Sequence, residues 1–291
     1  MVAAAGATPG VWEWSFGLPG ALLLLSGALY WIGGRRTVTP RRLARAQRGR
    51  SGAFYLSLAV LALALDSPID SLSTRLFWVH MIQHVLLMLV AAPLLVFSCP
   101  WIRLWRALPL TWRRPLARGL TQSGRTAPLR GLASLLGTPA AGLGGFSLVL
   151  LGWHVPAMFD ATLHSEALHV LEHTLFFATS VALFKQVIPS PPLRSRLGEV
   201  QRVLCMVAAM TVSWALAVVL ALAPKPLYPH YAHLAARPGG ISALADQQLA
   251  AGVMWVPGSI TFVIIIFVYV HRWLAPPAPA SHRAPRLAGG H

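Results

Sequence analysis

Apolar residues gather along this chain in seven blocks separated by more polar connections: 11–34, 51–65, 76–99, 132–153, 167–188, 203–223 and 249–270. Most of them exceed twenty residues, the length an α-helix needs to cross a hydrocarbon core of about 30 Å. The block at 51–65 is the short one. The pattern predicts an all-α integral membrane protein of about seven transmembrane helices, forming one membrane domain over 1–274. Residues 275–291 are rich in Pro and Ala and are expected to be a disordered cytoplasmic tail. No internal repeat stands out. The first block follows an apolar start with no basic stretch ahead of it, so no cleavable signal peptide is expected.

Composition agrees with the pattern. Of the 291 residues 56% are hydrophobic and only 11% charged, where a soluble domain carries about 25% charged residues. A net charge of +16 raises the question of nucleic acid, but the positions of the cations answer it. Connections 35–50 and 100–131 hold seven Arg each, 154–166 holds none, and 66–75 holds only Arg75. Alternate connections together carry 21 Lys and Arg against 3. By the positive-inside rule this places the N-terminus outside and the C-terminus in the cytoplasm. Without the short second block the alternation would break. The basic loops are therefore orientation signals, and no nucleic-acid partner is expected. Trp12, Trp14, Trp31, Trp78, Trp101, Trp153, Trp255 and Trp273 fall near block ends, as an aromatic belt would. Seven of the eight acids lie on the outer side; only Glu199 is cytoplasmic. Cys99 and Cys205 fall toward the reducing side and are expected to be unpaired packing residues.

Against this background two histidine pairs are conspicuous. His80-Met-Ile-Gln-His84 lies in the third block and His169-Val-Leu-Glu172-His173 in the fifth. Ionisable groups in lipid are costly and mark functional sites. The i, i+4 spacing puts both rings of a pair on one helix face. With the third span entering from outside at Leu76, His80 and His84 lie roughly 6 and 12 Å deep. Met88 continues their stripe. Two imidazoles and a thioether suit copper, with zinc possible; the structural alternative is hydrogen bonding between helices. His169-Val-Leu-Glu172-His173 matches the H-x-x-E-H metal-binding pattern, with Glu166 on the same stripe and Glu172 beside it.

Further residues extend the candidate set. His154, at the outer end of the fourth block, is a possible additional ligand. Glu172, Asp246, Glu166 and Gln83 are candidates for orienting the ligands. Asp246 is equally a candidate cap for the last helix, where Gln247 and Met254 share a stripe. His164, His230 and His233 lie in outer loops, as solvated residues or as a first capture point for a metal. His271 and His282 are cytoplasmic and outside the site. Pro93 and Pro257 are expected to kink their helices.

At these residues the chain resembles the multi-spanning CtaG family of cytochrome c oxidase assembly factors. The resemblance runs through His80-Met-Ile-Gln-His84 with Ala92-Pro93-Leu94-Leu95, Trp153-His154-Val-Pro156-Ala-Met-Phe159-Asp160, and Leu168-His169-Val-Leu-Glu172-His173 with Phe176-Phe177. It continues through Pro226-Leu227-Tyr228, Tyr231-Ala232, and Asp246-Gln247-Gln248-Leu-Ala250-Ala251-Gly252 into Met254-Trp255-Val256-Pro257-Gly258. It covers roughly 50–272. An unrelated single-span copper chaperone shares the family's name and is not similar to this chain. The resemblance implies a non-enzymatic role in the bacterial plasma membrane. It implies the oxidase subunits as partners, a periplasmic copper donor as a possible one, and copper, as Cu(I), as the metal delivered to the catalytic subunit. Two other classes remain open on the residues alone: a bis-His haem protein carrying electrons, and an intramembrane zinc hydrolase with Glu172 as general base. No helix-pairing motif points to an oligomeric state.

Overall fold

A computed structural model of the protein describes residues 14, 17–37, 40–193, 195–234 and 237–275. The start of the first apolar block, Trp12, Glu13, Arg194 and the tail with His282 lie outside the described residues. Among the described residues the chain is helical and has no strand. Helices cover all seven apolar blocks. In chain order they are α1 (Leu18–Arg35), α2 (Ala44–Leu65), the short α3 (Pro68–Ser73), and α4, which runs through a π turn over Phe77–Ser98. Then come α5 (Trp101–Ala107), α6 (Leu110–Gln122), α7 (Ala127–Leu136), α8 (Pro139–Trp153) and α9 (Pro156–His164). The series closes with α10 (Glu166–Val187), α11 (Glu199–Leu222), α12 (Pro229–Ala232) and α13 (Ala243–Leu274).

Four of these, α4, α10, α11 and α13, are long and apolar enough to cross a membrane by themselves. A fifth candidate is the pair formed by Gly124–Leu136 and Pro139–Trp153, bent by 79°. The straight span expected over 132–153 is therefore replaced by a bent one. Local chemistry explains the break: the Thr138 hydroxyl accepts the Ala141 N–H at 3.2 Å, and Pro139 supplies the fixed φ suited to a first helical turn. The short second block also has an explanation. It is the apolar end of a 22-residue helix whose first turns carry Arg45, Arg48 and Arg50. The basic connection after α4 is itself helical. Its α6 carries Arg113, Arg114 and Arg118 and exposes Trp112, Leu116 and Leu120, one helical turn apart.

The core runs between α4, α8, α10, α11 and α13 and is filled by aromatic side chains, including Phe77, Phe146, Phe159, Phe176, Phe184 and Phe262. Close approach is possible where a side chain is missing. A Cβ on Gly142 would sit 2.8 Å from the Ala182 carbonyl oxygen, so α8 and α10 meet nearly backbone to backbone there. Pro93 does not kink α4 sharply. The helical ladder loosens into a π turn over Leu86–Ala91, and neighbours take up freed carbonyls. Pro93 has no N–H for the Leu89 carbonyl, four residues earlier; the Thr261 hydroxyl of α13 donates to it instead. Ser57 of α2 donates to the Ala91 carbonyl at 2.8 Å. Both ties hold α4 at the centre of the bundle. Cys99 and Cys205 are free thiols. Trp153, expected in an interfacial belt, is instead buried in the core, whereas Trp14, Trp31, Trp255 and Trp273 are exposed.

Candidate metal centre

The site begins with the way α4 starts. Leu76, which precedes it, has no side chain able to satisfy the first amides. Asp246 does so from another helix. Its two carboxylate oxygens accept the Phe77 and Trp78 N–H groups, each at 3.0 Å, and Arg237 lies 3.9 Å from the same carboxylate. Asp246 does not cap its own helix: α13 is capped by Ser242, whose hydroxyl accepts the Ala245 N–H at 3.1 Å. The sequence leaves both roles open for Asp246. The structure assigns it to α4, and so to the placement of His80 and His84 one and two turns further on.

His80 and His84 are buried with their Nε2 atoms 2.9 Å apart. The proton positions around His80 follow from counting donors. The Tyr231 hydroxyl gives its one proton to the Ser73 carbonyl, so toward His80 Nδ1, 3.1 Å away, it can only accept. Neutral His80 therefore carries its proton on Nδ1 and presents a bare Nε2 to the site. His84 Nδ1 is buried with no partner.

α10 supplies the opposite wall. Its first turn is capped by Ser165, which accepts the Leu168 N–H, and it brings His169, Glu172 and His173 against α4. Glu172 lies 4.0 Å from His80 Nε2 and 3.8 Å from His84 Nε2 and is wholly buried. The Thr162 hydroxyl beside it gives its proton to the Phe159 carbonyl at 2.7 Å. Both Glu172 oxygens thus lack a partner, as does His173 Nε2. His80, His84, Glu172 and His173 each offer one ligand atom, and these atoms all lie within 4.8 Å of one another.

This donor set fits a cation. A buried carboxylate without a partner costs several kcal/mol, and here no cationic side chain faces it, only imidazoles. With metal–nitrogen bonds of about 2.0–2.1 Å, the 2.9 Å between the two Nε2 atoms subtends roughly 90° at an ion. Ligands about 2.1 Å from one ion are at most about 4.2 Å apart, so the widest pair must contract by roughly half an ångström. Three imidazoles and a carboxylate suit zinc or copper better than magnesium or calcium.

The other expected residues divide around this centre. His169 packs at its rim, with its ring 4.1 Å from that of His173 and 5.5 Å from that of His80, and it is half-buried. His154 lies one layer away, its ring 6.0 Å from that of His84. Its Nδ1–H donates to the Leu150 carbonyl at 2.7 Å, closing the end of its own helix, and its Nε2 faces Met81 Sδ at 3.4 Å. Met88 lines a cavity that His84 of the centre and His154 line as well. Gln83 points away, donating to the Ala64 carbonyl and to Asp70, both at 2.8 Å, and so ties α4 to α2 and α3. Glu166 is exposed in the first turn of α10 and belongs to the helix end, where an acid is favourable. His164 and His230 approach each other over Asp160, with rings 5.5 Å apart; His164 donates to the Asp160 carbonyl at 2.7 Å. His233 is exposed at the end of α12.

Several contributors escape sequence reasoning. Tyr231 sets the His80 proton, yet it lies in a non-periodic connection 151 residues away from it. Asp70 sits within electrostatic reach of His169 and is held by Gln83; burial pushes its carboxyl above the ordinary range, and the Gln83 hydrogen bond opposes that shift. Phe159 and Phe176 pack on the His80 and His84 rings at 4.9 and 4.5 Å. Asp70 carried a local signal, as an acid on the side of the chain where acids concentrate; Tyr231, Phe159 and Phe176 stood only in the blocks that carry the family resemblance.

The fold and site together define an all-helical membrane protein with a buried histidine–glutamate centre between two of its apolar helices. Residues 28–275 match the family model described as cytochrome c oxidase caa3 assembly factor (Caa3_CtaG). The match spans most of the chain, and the protein belongs to that family. Comparison with curated proteins and with solved structures gives no match.

Proposed function

We propose that this protein binds copper at the His80/His84/Glu172/His173 centre and passes it to a cytochrome c oxidase subunit, acting as an assembly factor and not as an enzyme. Membership of the family supports the assembly role. The observation that carries the metal is the convergence of four buried ligand groups within 4.8 Å, with both Glu172 oxygens and His173 Nε2 unpartnered. Neutral imidazoles bind copper while still allowing exchange with a better-matched site. In this reading α1 and α2 also cross the bilayer, giving seven spans with the N-terminus outside. The centre then faces the outer half of the bacterial plasma membrane, and His164, His230 and His233 receive copper from a periplasmic donor.

Haem ligation is disfavoured by packing. The His80 and His84 rings touch each other, Phe159 and Phe176 cover them, and no slot for a macrocycle lies between α4 and α10. A zinc hydrolase is disfavoured because Glu172 is wholly buried among the ligands and not aimed into an open cleft. The test is copper content of detergent-purified protein, wild type against His80→Ala/His84→Ala. Wild type is expected to hold copper that the double variant loses; equal copper in both would remove this reading.

A further inference from the structure

Adjoining the His/Glu centre, with His84 common to both, lies a cavity of about 30 Å³. Its lining includes Met81, Met88, Met254, His84, His154 and Ser213. Three of the chain's seven methionines therefore line one cavity, from α4 and α13. The volume would admit a water molecule, but a water needs two to four good polar partners. Thioethers are weak acceptors, and the Ser213 hydroxyl already donates to the Ala209 carbonyl at 3.1 Å.

The contact between His154 and Met81 is the decisive one. Neutral His154 keeps its proton on Nδ1, bonded to the Leu150 carbonyl. Its Nε2 therefore presents a lone pair to Met81 Sδ, 3.4 Å away, which is also a lone-pair donor. No proton lies between the two, so they do not form a hydrogen bond. With metal–nitrogen and metal–sulfur bonds of about 2.0 and 2.3 Å, a separation of 3.4 Å subtends roughly 105° at a shared cation, close to tetrahedral.

We propose that His154, Met81, Met88 and Met254 form a second metal site, for one soft monovalent cation such as Cu(I), separate from the His/Glu centre. Thioether ligands select soft monovalent metal, whereas the carboxylate above accepts divalent ions. His84 is the shared wall. Its Nε2 faces the His/Glu centre, its ring lines the lower cavity, and its Nδ1 is buried without a partner. The two sites together select copper by oxidation state, and the lower one holds it in the form a sulfur-rich partner would accept. Only the identity of the cation rests on the copper reading above.

The experiment uses the full chain, labelled with selenomethionine and purified in detergent. It is loaded with silver(I) in the presence of one equivalent of zinc(II) and examined by X-ray absorption at the silver edge. One bound silver with silver–selenium scattering is expected, lost in Met81→Leu/Met254→Leu; leucine nearly conserves methionine's volume, and the unsubstituted chain alone already tests ligation. No bound silver, silver with nitrogen scattering only, or selenium scattering unchanged in the variant would overturn the proposal. Zinc in the same samples reports the upper centre independently. Zinc unaffected by His80→Ala/His84→Ala would count against the His/Glu centre while leaving a silver–selenium signal as support for the lower site.

Discussion

Replacing Tyr231 by Phe removes a single hydroxyl and keeps the ring that packs against Phe77 at 5.3 Å. That hydroxyl accepts from His80 Nδ1 and donates to the Ser73 carbonyl. Without it the buried Nδ1–H loses the acceptor 3.1 Å away, a penalty of about 1–3 kcal/mol. His80 can avoid the penalty by moving its proton to Nε2 and turning it toward the unpartnered Glu172 carboxylate, 4.0 Å away. That tautomer has no lone pair for a metal at the site, so binding must restore the costly one. At about 1.4 kcal/mol per tenfold, affinity at the upper centre is expected to fall roughly 5- to 150-fold. The assay is competition for zinc(II), which reports the upper centre, against a chelator of known affinity, on detergent-purified wild type and Tyr231→Phe, with thermal unfolding measured alongside. A Tyr231→Phe variant that folds normally and binds within twofold of wild type would refute the argument that Tyr231 sets the His80 proton.

Asp246→Asn keeps one acceptor but turns an amide toward one of the two backbone N–H groups and leaves Arg237 uncompensated. A loss of about 2–4 kcal/mol in unfolding free energy is expected, with weaker metal binding; unchanged denaturant midpoints would contradict it. Glu172→Gln should give opposite signs in two measurements. The metal-free protein becomes more stable because the amide N–H groups can donate to the bare His80 Nε2 beside them, 4.0 Å from the present carboxyl group, while metal affinity drops by tenfold or more; a parallel fall in both would show that Glu172 already has a partner. Gly142→Val drives a Cβ into the Ala182 carbonyl at 2.8 Å. It is expected to cost about 1–3 kcal/mol by forcing α8 and α10 apart, and a melting temperature equal to wild type would show that the helices separate freely.

The all-helical membrane character and the facing histidine pairs were legible in the chain because they depend on local properties. A run of apolar residues partitions into lipid whatever its neighbours are, and i, i+4 spacing puts His80 with His84, and His169 with His173, on one face of any helix. What local pattern could not supply was the bend. Leu132 to Trp153 reads as one apolar run, yet Thr138 and Pro139 restart the helix at 79° to its predecessor. The same limit applied to the ligand set. By spacing His169 and His173 are the ligand pair and Glu172 a residue that orients them, but the rotation of α10 against α4 turns Glu172 and His173 inward and leaves His169 at the rim. Likewise Met88 shares the stripe of His80 and His84, but the π turn that accommodates Pro93 begins before it and alters the helical phase, and Met88 lines the cavity beside His84.

Sequence alone, then, determined that the chain is a bundle of apolar helices carrying two histidine pairs, since hydrophobicity and helical periodicity act within a few residues. Tertiary structure alone decided that Asp246 starts α4, that Tyr231 holds the His80 proton, and that Met254 lines one cavity with Met81. Each of those contacts joins residues more than 150 positions apart in the chain. Their pairing is set by how helices rotate and settle against one another in close packing, where a shift of one side chain's width exchanges one partner for another.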